Sequence, residues 1–384
     1  MLILGTRPEA IKMAPIVKEL EKHSNKVKTI VTVSGQHREM LDQVLNLFNI
    51  KVDYDLNIMK PNQTLFDIVS ILLIELKKVL NNEKPDVILV QGDTTTSFAT
   101  CLAAYFLKIF IAHVEAGLRT YNKYSPFPEE INRRLTGVLS DLHFAPTKSA
   151  FNNLVQENIN KKTIFITGNT VIDALLMTVR DNYDFGTIKD DKIAKRLLKI
   201  DFNKRIILVT AHRRENFGEP LENICYAIKK LIENNNNIEV VYPVHMNPNV
   251  REPVNKILGN LERVYIIPPL DYEPFVQLMS KSFIILTDSG GIQEEAPSLG
   301  KPVFVMRNHT ERPEAVEAGT VKLVGTDWRL IVNETQKLLD DKVEYNKMAK
   351  TVNPYGDGKA AERIVNCLLG LPFEEFNPNT KSNL

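Results

Sequence analysis

Short runs of Val, Ile and Leu recur along this chain with room for about one helix between neighbours, and that alternation constrains the fold more than any other feature. A brief apolar run without polar alternation is a strand buried on both faces, and strands joined through helices lie parallel. The runs Leu2 to Leu4, Thr29 to Val33, Val87 to Val90, Phe110 to Val114, Leu142 to Ala145 and Ile164 to Thr167 predict one sheet. Ile206 to Val209, Glu239 to Tyr242, Tyr265 to Ile267, Phe283 to Leu286, Val303 to Val305 and Val321 to Val324 predict a second. The expected fold class is α/β, with two Rossmann-like doubly wound domains facing across a cleft. The charged, strandless stretch Arg180 to Lys204 reads as the linker region. Expected domains are therefore residues 1–180 and 181–358, with 359–384 supplying a last helix that packs back on the first. The opening strand is short enough that a further N-terminal residue or two is expected.

A length of 384 residues suits two such domains. Forty-eight basic and forty-seven acidic residues leave a formal net charge of +1. That balance gives no general attraction for nucleic acid or an acidic membrane, so neither is an expected partner, and an anionic ligand needs a local cluster. Cys101, Cys225 and Cys367 are far apart and show no CxxC spacing, which predicts buried thiols, no disulfide framework and no metal site. Neither a signal peptide nor an apolar run of about 18 residues is present, and the expected location is the cytoplasm.

Ligands of open parallel sheets sit beyond the carboxyl ends of the strands. After the first strand stands Gly5-Thr6-Arg7-Pro8-Glu9, with Lys12 further on. Its capping-box spacing and early proline predict a helix start, either an ordinary cap with solvated cations or a diphosphate site held by Arg7 and Lys12. In the second half, Asp288-Ser289-Gly290-Gly291-Ile292-Gln293-Glu294-Glu295 follows a strand. It reads either as a plain turn or as a backbone cradle for a nucleotide, with Glu295 placed to accept ribose hydroxyls. Asp93, Glu115, Glu129 and His212 also fall at strand ends or just beyond. A single strand-end carboxylate is often a helix cap, as Asp93 could be. Several converging carboxylates with a histidine point to acid-base chemistry, because gathering like charges is unfavourable unless function recovers it. His37, Arg213 and His245 follow strands as well.

There is no P-loop and no dinucleotide fingerprint; Gly356-Asp-Gly-Lys-Ala-Ala361 follows Asn353-Pro-Tyr, not a strand. No cofactor is expected.

Eight blocks then recur in order. They are Gly5-Thr-Arg-Pro-Glu-Ala-Ile-Lys12, Gly35-Gln-His-Arg-Glu-Met40, Val90-Gln-Gly-Asp-Thr94, His113-Val-Glu-Ala-Gly-Leu-Arg119, Pro128-Glu-Glu-Ile-Asn-Arg133, Ala211-His-Arg-Arg-Glu-Asn216, Ser289-Gly-Gly-Ile-Gln-Glu-Glu295 and Asn353-Pro-Tyr-Gly-Asp-Gly358. Together they resemble the non-hydrolysing UDP-N-acetylglucosamine 2-epimerases. The resemblance implies a glycosyltransferase-B-like fold, a homodimer and interconversion of UDP-N-acetylglucosamine with UDP-N-acetylmannosamine for surface polysaccharide. It assigns UDP contacts to Arg7, Lys12, Phe275, Ser289, Gly290, Gly291, Glu295 and Arg312, and work around the sugar to Asp93, Glu115, Glu129 and His212. Gln36, His37, Arg213 and His245, with Glu39, Asn62 and Glu129, match positions of a second, activating UDP-sugar. Glu39 and Asn62 depart from the regulated members, which carry Gln and Arg there.

The implied reaction demands elimination. The C2 hydrogen of an acetamido sugar is not next to a carbonyl, so departure of UDP across C1 and C2 must acidify it, giving a 2-acetamidoglucal that adds UDP back. Cations must hold the leaving diphosphate, and acid and base must stand on both ring faces. A hydrolysing 2-epimerase, a glycosyltransferase and a non-catalytic UDP-sugar sensor are the rival readings.

Overall fold

The computed structural model describes residues 1–35 and 38–379. The chain divides into two compact units, one of Met1–Met177 with the segment from Tyr355 onward, the other of Thr178–Pro354.

In the first unit, parallel strands β1 (Leu2–Leu4), β2 (Val31–Val33), β3 (Tyr54–Asp55), β4 (Val87–Gln91), β5 (Phe110–Val114), β6 (Leu142–Ala145) and β7 (Ile164–Ile166) take the order β3-β2-β1-β4-β5-β6-β7. In the second, β8 (Arg205–Thr210), β9 (Ile238–Pro243), β10 (Val264–Ile267), β11 (Ile284–Thr287), β12 (Val303–Val305) and β13 (Val321–Leu323) take the order β10-β9-β8-β11-β12-β13. Helices cover these sheets, which is why β1, β2, β11 and β12 are buried at every position. Only β3 has no counterpart among the predicted strands. It holds two residues at a sheet edge, one of them exposed, and carries no apolar run.

The stretch read as a linker is folded into the second unit. It contains a helix at Asp191–Leu197, and Phe185 stacks on Phe202 with centroids 5.3 Å apart. The Arg180 amide donates to Gln277 Oε1 at 3.0 Å. The helix Ala360–Leu368 packs on the helix Arg7–Glu21 in the first unit. Its first-turn amides, which have no partner within the helix, are capped from within that unit: Asp173 accepts from Ala360 at 3.3 Å and Ala361 at 2.8 Å. No helix among the described residues is long and apolar enough to cross a membrane.

Candidate functional site

A parallel sheet opens a ligand crevice where its strand order reverses. The first sheet reverses between β1 and β4. Gly5 begins the turn after β1, and a Cβ there would lie 2.4 Å from Thr96 Oγ1, so only glycine fits. The Glu9 side chain, 1% exposed, accepts from the Gly5 amide at 3.1 Å, the Thr94 hydroxyl at 2.8 Å and the Ser97 hydroxyl at 3.0 Å. It ties the turn after β1 to the turn after β4. Burial pushes its pKa up, against the opposing pull of these donors.

Lys12 Nζ lies 2.7 and 2.6 Å from the two oxygens of Glu115, and the Gln91 side-chain amide donates to the same carboxylate. Glu115 directly follows β5 with φ of +61°, a left-handed backbone that is strained for a residue with a Cβ. Asp93 accepts from Arg133 Nε at 3.0 Å and from its Nη2. The cap of the helix Thr95–Phe106 is Thr94, which accepts from the Ser97 amide at 3.1 Å, so Asp93 is not spent on that helix start. Arg133 also reaches the buried Glu130 at 3.3 Å, and Glu130 accepts from the Thr120 and Tyr121 amides at 3.0 Å each. His113 Nε2 meets the Gly92 carbonyl at 2.7 Å, and burial pushes its pKa down to about 3. The side chains of Arg7 and Glu129 form no hydrogen bond or ion pair with any described residue.

The second sheet reverses between β8 and β11. His212 and Arg213 follow β8, and both their amides donate to Asp288 Oδ2 at 2.8 Å, joined by Asn216 Nδ2 at 3.1 Å. The His212 ring stacks with that of His245, centroids 5.7 Å apart. Burial lowers the His212 pKa, with Asp288 pulling it up and His245 and Arg213 pushing it down. Ser289 starts the short helix Gly290–Glu295, its amide held by Thr287 Oγ1 at 2.9 Å. A Cβ on Gly290 would lie 3.8 Å from Arg213 Nη2 and 4.0 Å from Arg312 Nη2, so two guanidinium groups stand beside this turn. Arg312 pairs with the buried Glu294. Glu295 accepts from the Tyr272 hydroxyl at 3.1 Å, and Phe275 lies one turn beyond Tyr272 on the helix Tyr272–Lys281. Burial and Glu295 raise the Tyr272 pKa well above 10, which keeps that hydroxyl a donor.

A sequence model of the UDP-N-acetylglucosamine 2-epimerases matches residues 18–369. This chain belongs to that family. It is 58% identical over 377 residues to the UDP-N-acetylglucosamine 2-epimerase of Campylobacter jejuni, covering 96% of this chain and 97% of that protein. The Salmonella typhimurium enzyme of the same name is 56% identical over 368 residues, with 96% and 97% covered. A crystal structure of the Neisseria meningitidis UDP-GlcNAc 2-epimerase bound to UDP-GlcNAc superimposes with a TM-score of 0.82 at 54% identity, covering 96% of this chain and 99% of that one. The fold is accordingly the glycosyltransferase-B-like one of this epimerase family.

Within this epimerase-family chain, the structure groups Lys12 with Glu115 at one strand-order reversal and His212 with Arg213, Ser289 and Gly290 at the other. Arg213, expected beside His245 in a separate activator position, stands next to the Gly290 turn as well. Gln36 and His37 lie outside the described residues, as does the Glu39 side chain. Asn62 is exposed, with φ of +60°. Sequence reasoning missed Glu9, Gln91, Arg133 and Asp288, although each stands inside or beside a motif already singled out. A polar residue on the last position of a strand or one turn into the next helix was the available signal.

Proposed function

We propose that this chain is a non-hydrolysing UDP-N-acetylglucosamine 2-epimerase that interconverts UDP-N-acetylglucosamine and UDP-N-acetylmannosamine. One observation carries the reading: in each unit ionisable side chains collect just beyond the carboxyl ends of strands at or next to its own order reversal, Lys12 meeting Glu115 in the first and His212 with Arg213 meeting Asp288 in the second, in a chain of the 2-epimerase family. The resemblance of the eight sequence blocks to the non-hydrolysing branch favours retention of the nucleotide.

UDP is held by the Ser289-Gly290-Gly291 backbone and Arg312, its ribose by Glu295 and its uracil by Phe275. Arg7 and Lys12 supply cations for the diphosphate as the C1–O bond breaks. Asp93, Glu115 and Glu129 divide removal and return of the C2 proton, which yields the 2-acetamidoglucal and, after readdition of UDP at C1 with protonation of C2 from the opposite ring face, the epimer. His212 acts on the leaving phosphate, as a donor when protonated. Water must be excluded, because it would convert the intermediate to free sugar.

The proposal includes a cytoplasmic homodimer supplying N-acetylmannosamine for surface polysaccharide. Phe66 and Ile74 on the helix Leu65–Glu83, 84% and 58% exposed, offer apolar surface for a second copy. Sedimentation of the purified protein tests the dimer.

The reaction is tested by incubating the protein with UDP-N-acetylglucosamine in deuterated water without NAD and following C2 by NMR. Deuterium at C2 of an intact UDP-sugar is expected. Release of UDP with free N-acetylmannosamine would instead assign the hydrolysing reaction, and transfer of labelled sugar to an acceptor would assign a glycosyltransferase.

A further inference from the structure

Asp288 is wholly buried, and one of its two oxygens is fully engaged: Oδ2 accepts from the amides of His212 and Arg213 and from Asn216 Nδ2. The other, Oδ1, is buried and accepts no hydrogen bond from any described residue. It faces His212 Nδ1 at 3.6 Å. A buried carboxylate oxygen without a donor is unfavourable by itself, and the His212 Nδ1 stands just beyond hydrogen-bond range of it. The same aspartate therefore grips the backbone of the loop after β8 and aims at the side chain that loop carries.

We propose that Asp288 is a positioning residue for His212, holding its neutral ring with the hydrogen on Nδ1 so that Nε2 is left to exchange a proton with the substrate. An aspartate placed at Nδ1 fixes the imidazole tautomer and stabilises the imidazolium that forms on proton uptake. The groups facing His212 are consistent with that division. His245, stacked on its far side, has its own Nδ1 occupied by the Asn247 amide at 3.1 Å, so it offers no competing acceptor from that nitrogen. Arg213 and His245 oppose a positive charge on His212, and Asp288 favours one. Loss of the aspartate charge leaves only the opposing groups.

The inference rests on the reading that His212 acts on the UDP-sugar, and the test separates the two. Asp288→Asn keeps one oxygen for the loop amides and presents an NH2 group to Nδ1, which forces the ring hydrogen onto Nε2. Turnover of UDP-N-acetylglucosamine by the full-length variant is expected to fall roughly 100-fold, with KM little changed and the His212 limb of the pH profile moved to lower pH. In the unsubstituted protein, nitrogen-15 NMR of the histidine rings is expected to show His212 as the Nδ1–H tautomer, a readout independent of whether the variant folds. His212→Asn is the reference. If it abolishes turnover while Asp288→Asn leaves rate and pH profile intact, the positioning role is overturned and the reading of His212 stands. Full activity of His212→Asn overturns both, and an Nε2–H tautomer in the unsubstituted protein overturns the positioning role alone.

Discussion

Lys12 and Glu115, 103 residues apart in sequence, form a two-pronged ion pair in which Nζ touches both carboxylate oxygens, at 2.7 and 2.6 Å. The cation expected to meet a diphosphate and a carboxylate expected to handle the C2 proton are thus partners before any ligand arrives. The pair makes their substitutions interdependent. Glu115→Gln is expected to lower epimerisation by about 100-fold or more while UDP binding by calorimetry is kept or strengthened, because Lys12 is released. Lys12→Met is expected to weaken UDP binding. In the double variant the two effects on binding should not add, as befits residues in contact. Near-normal turnover of Glu115→Gln would remove Glu115 from the mechanism.

Asp93 owes its orientation to Arg133, which also holds Glu130. Arg133→Met leaves both carboxylates without that donor and is expected to destabilise the protein by about 1–3 kcal/mol. Its turnover should fall toward the loss of about 100-fold expected of Asp93→Asn, while UDP affinity, to which neither Asp93 nor Arg133 is assigned, stays unchanged. A fall in UDP affinity as large as the fall in turnover would contradict this assignment. Chemical denaturation and calorimetry measure the two quantities.

Glu9 joins the turns after β1 and β4 from a fully buried position, and its raised pKa marks the cost of charging it there. Glu9→Gln keeps an acceptor without the charge and is expected to retain fold and turnover. Glu9→Ala strands the donors of Gly5, Thr94 and Ser97 and should lose about 1–3 kcal/mol of stability. Equal melting temperatures for the two variants would remove the hydrogen bonds as the cause. Gly5→Ala, driven into Thr96, should cost about as much through overpacking.

Asp173 gives the protein a pH-dependent stability. Burial raises its pKa from 3.8 to about 7 even though it caps the helix Ala360–Leu368. A raised folded-state value means that folding favours the protonated form. That contribution is complete below 3.8 and is lost as pH climbs through about 7. Melting temperature is expected to decline across that window, and Asp173→Asn should flatten the decline. An unchanged slope in the variant would assign the titration to another group. Asp173→Ala should also speed amide exchange in residues 360–368.

The strands were legible because residues buried on both faces of a parallel sheet must be apolar, as in Val303-Phe304-Val305 and Ile284-Ile285-Leu286. Tyr54–Asp55 escaped because an edge strand of two residues needs no such run. The stretch from Arg180 to Lys204 resembled a linker because its charges face water, while the few residues that anchor it, Phe185 and Phe202 among them, show no period. At the site, position after a strand was enough to single out Asp93, Glu115, His212 and Ser289. It did not say which charge would meet which.

Local rules of burial, capping and backbone geometry act over a few residues, so the sequence by itself determined the order of strands and helices, the glycine turn at Gly5 and the polar residues at the strand ends. Pairing is another matter. Lys12 with Glu115, Arg133 with Asp93 and Asp288 with His212 join segments 40 to 103 residues apart, and only folded sheets bring them together. Ion pairs and hydrogen bonds require contact within a few ångströms, a distance that sequence separation does not encode, and so the tertiary structure alone decided them.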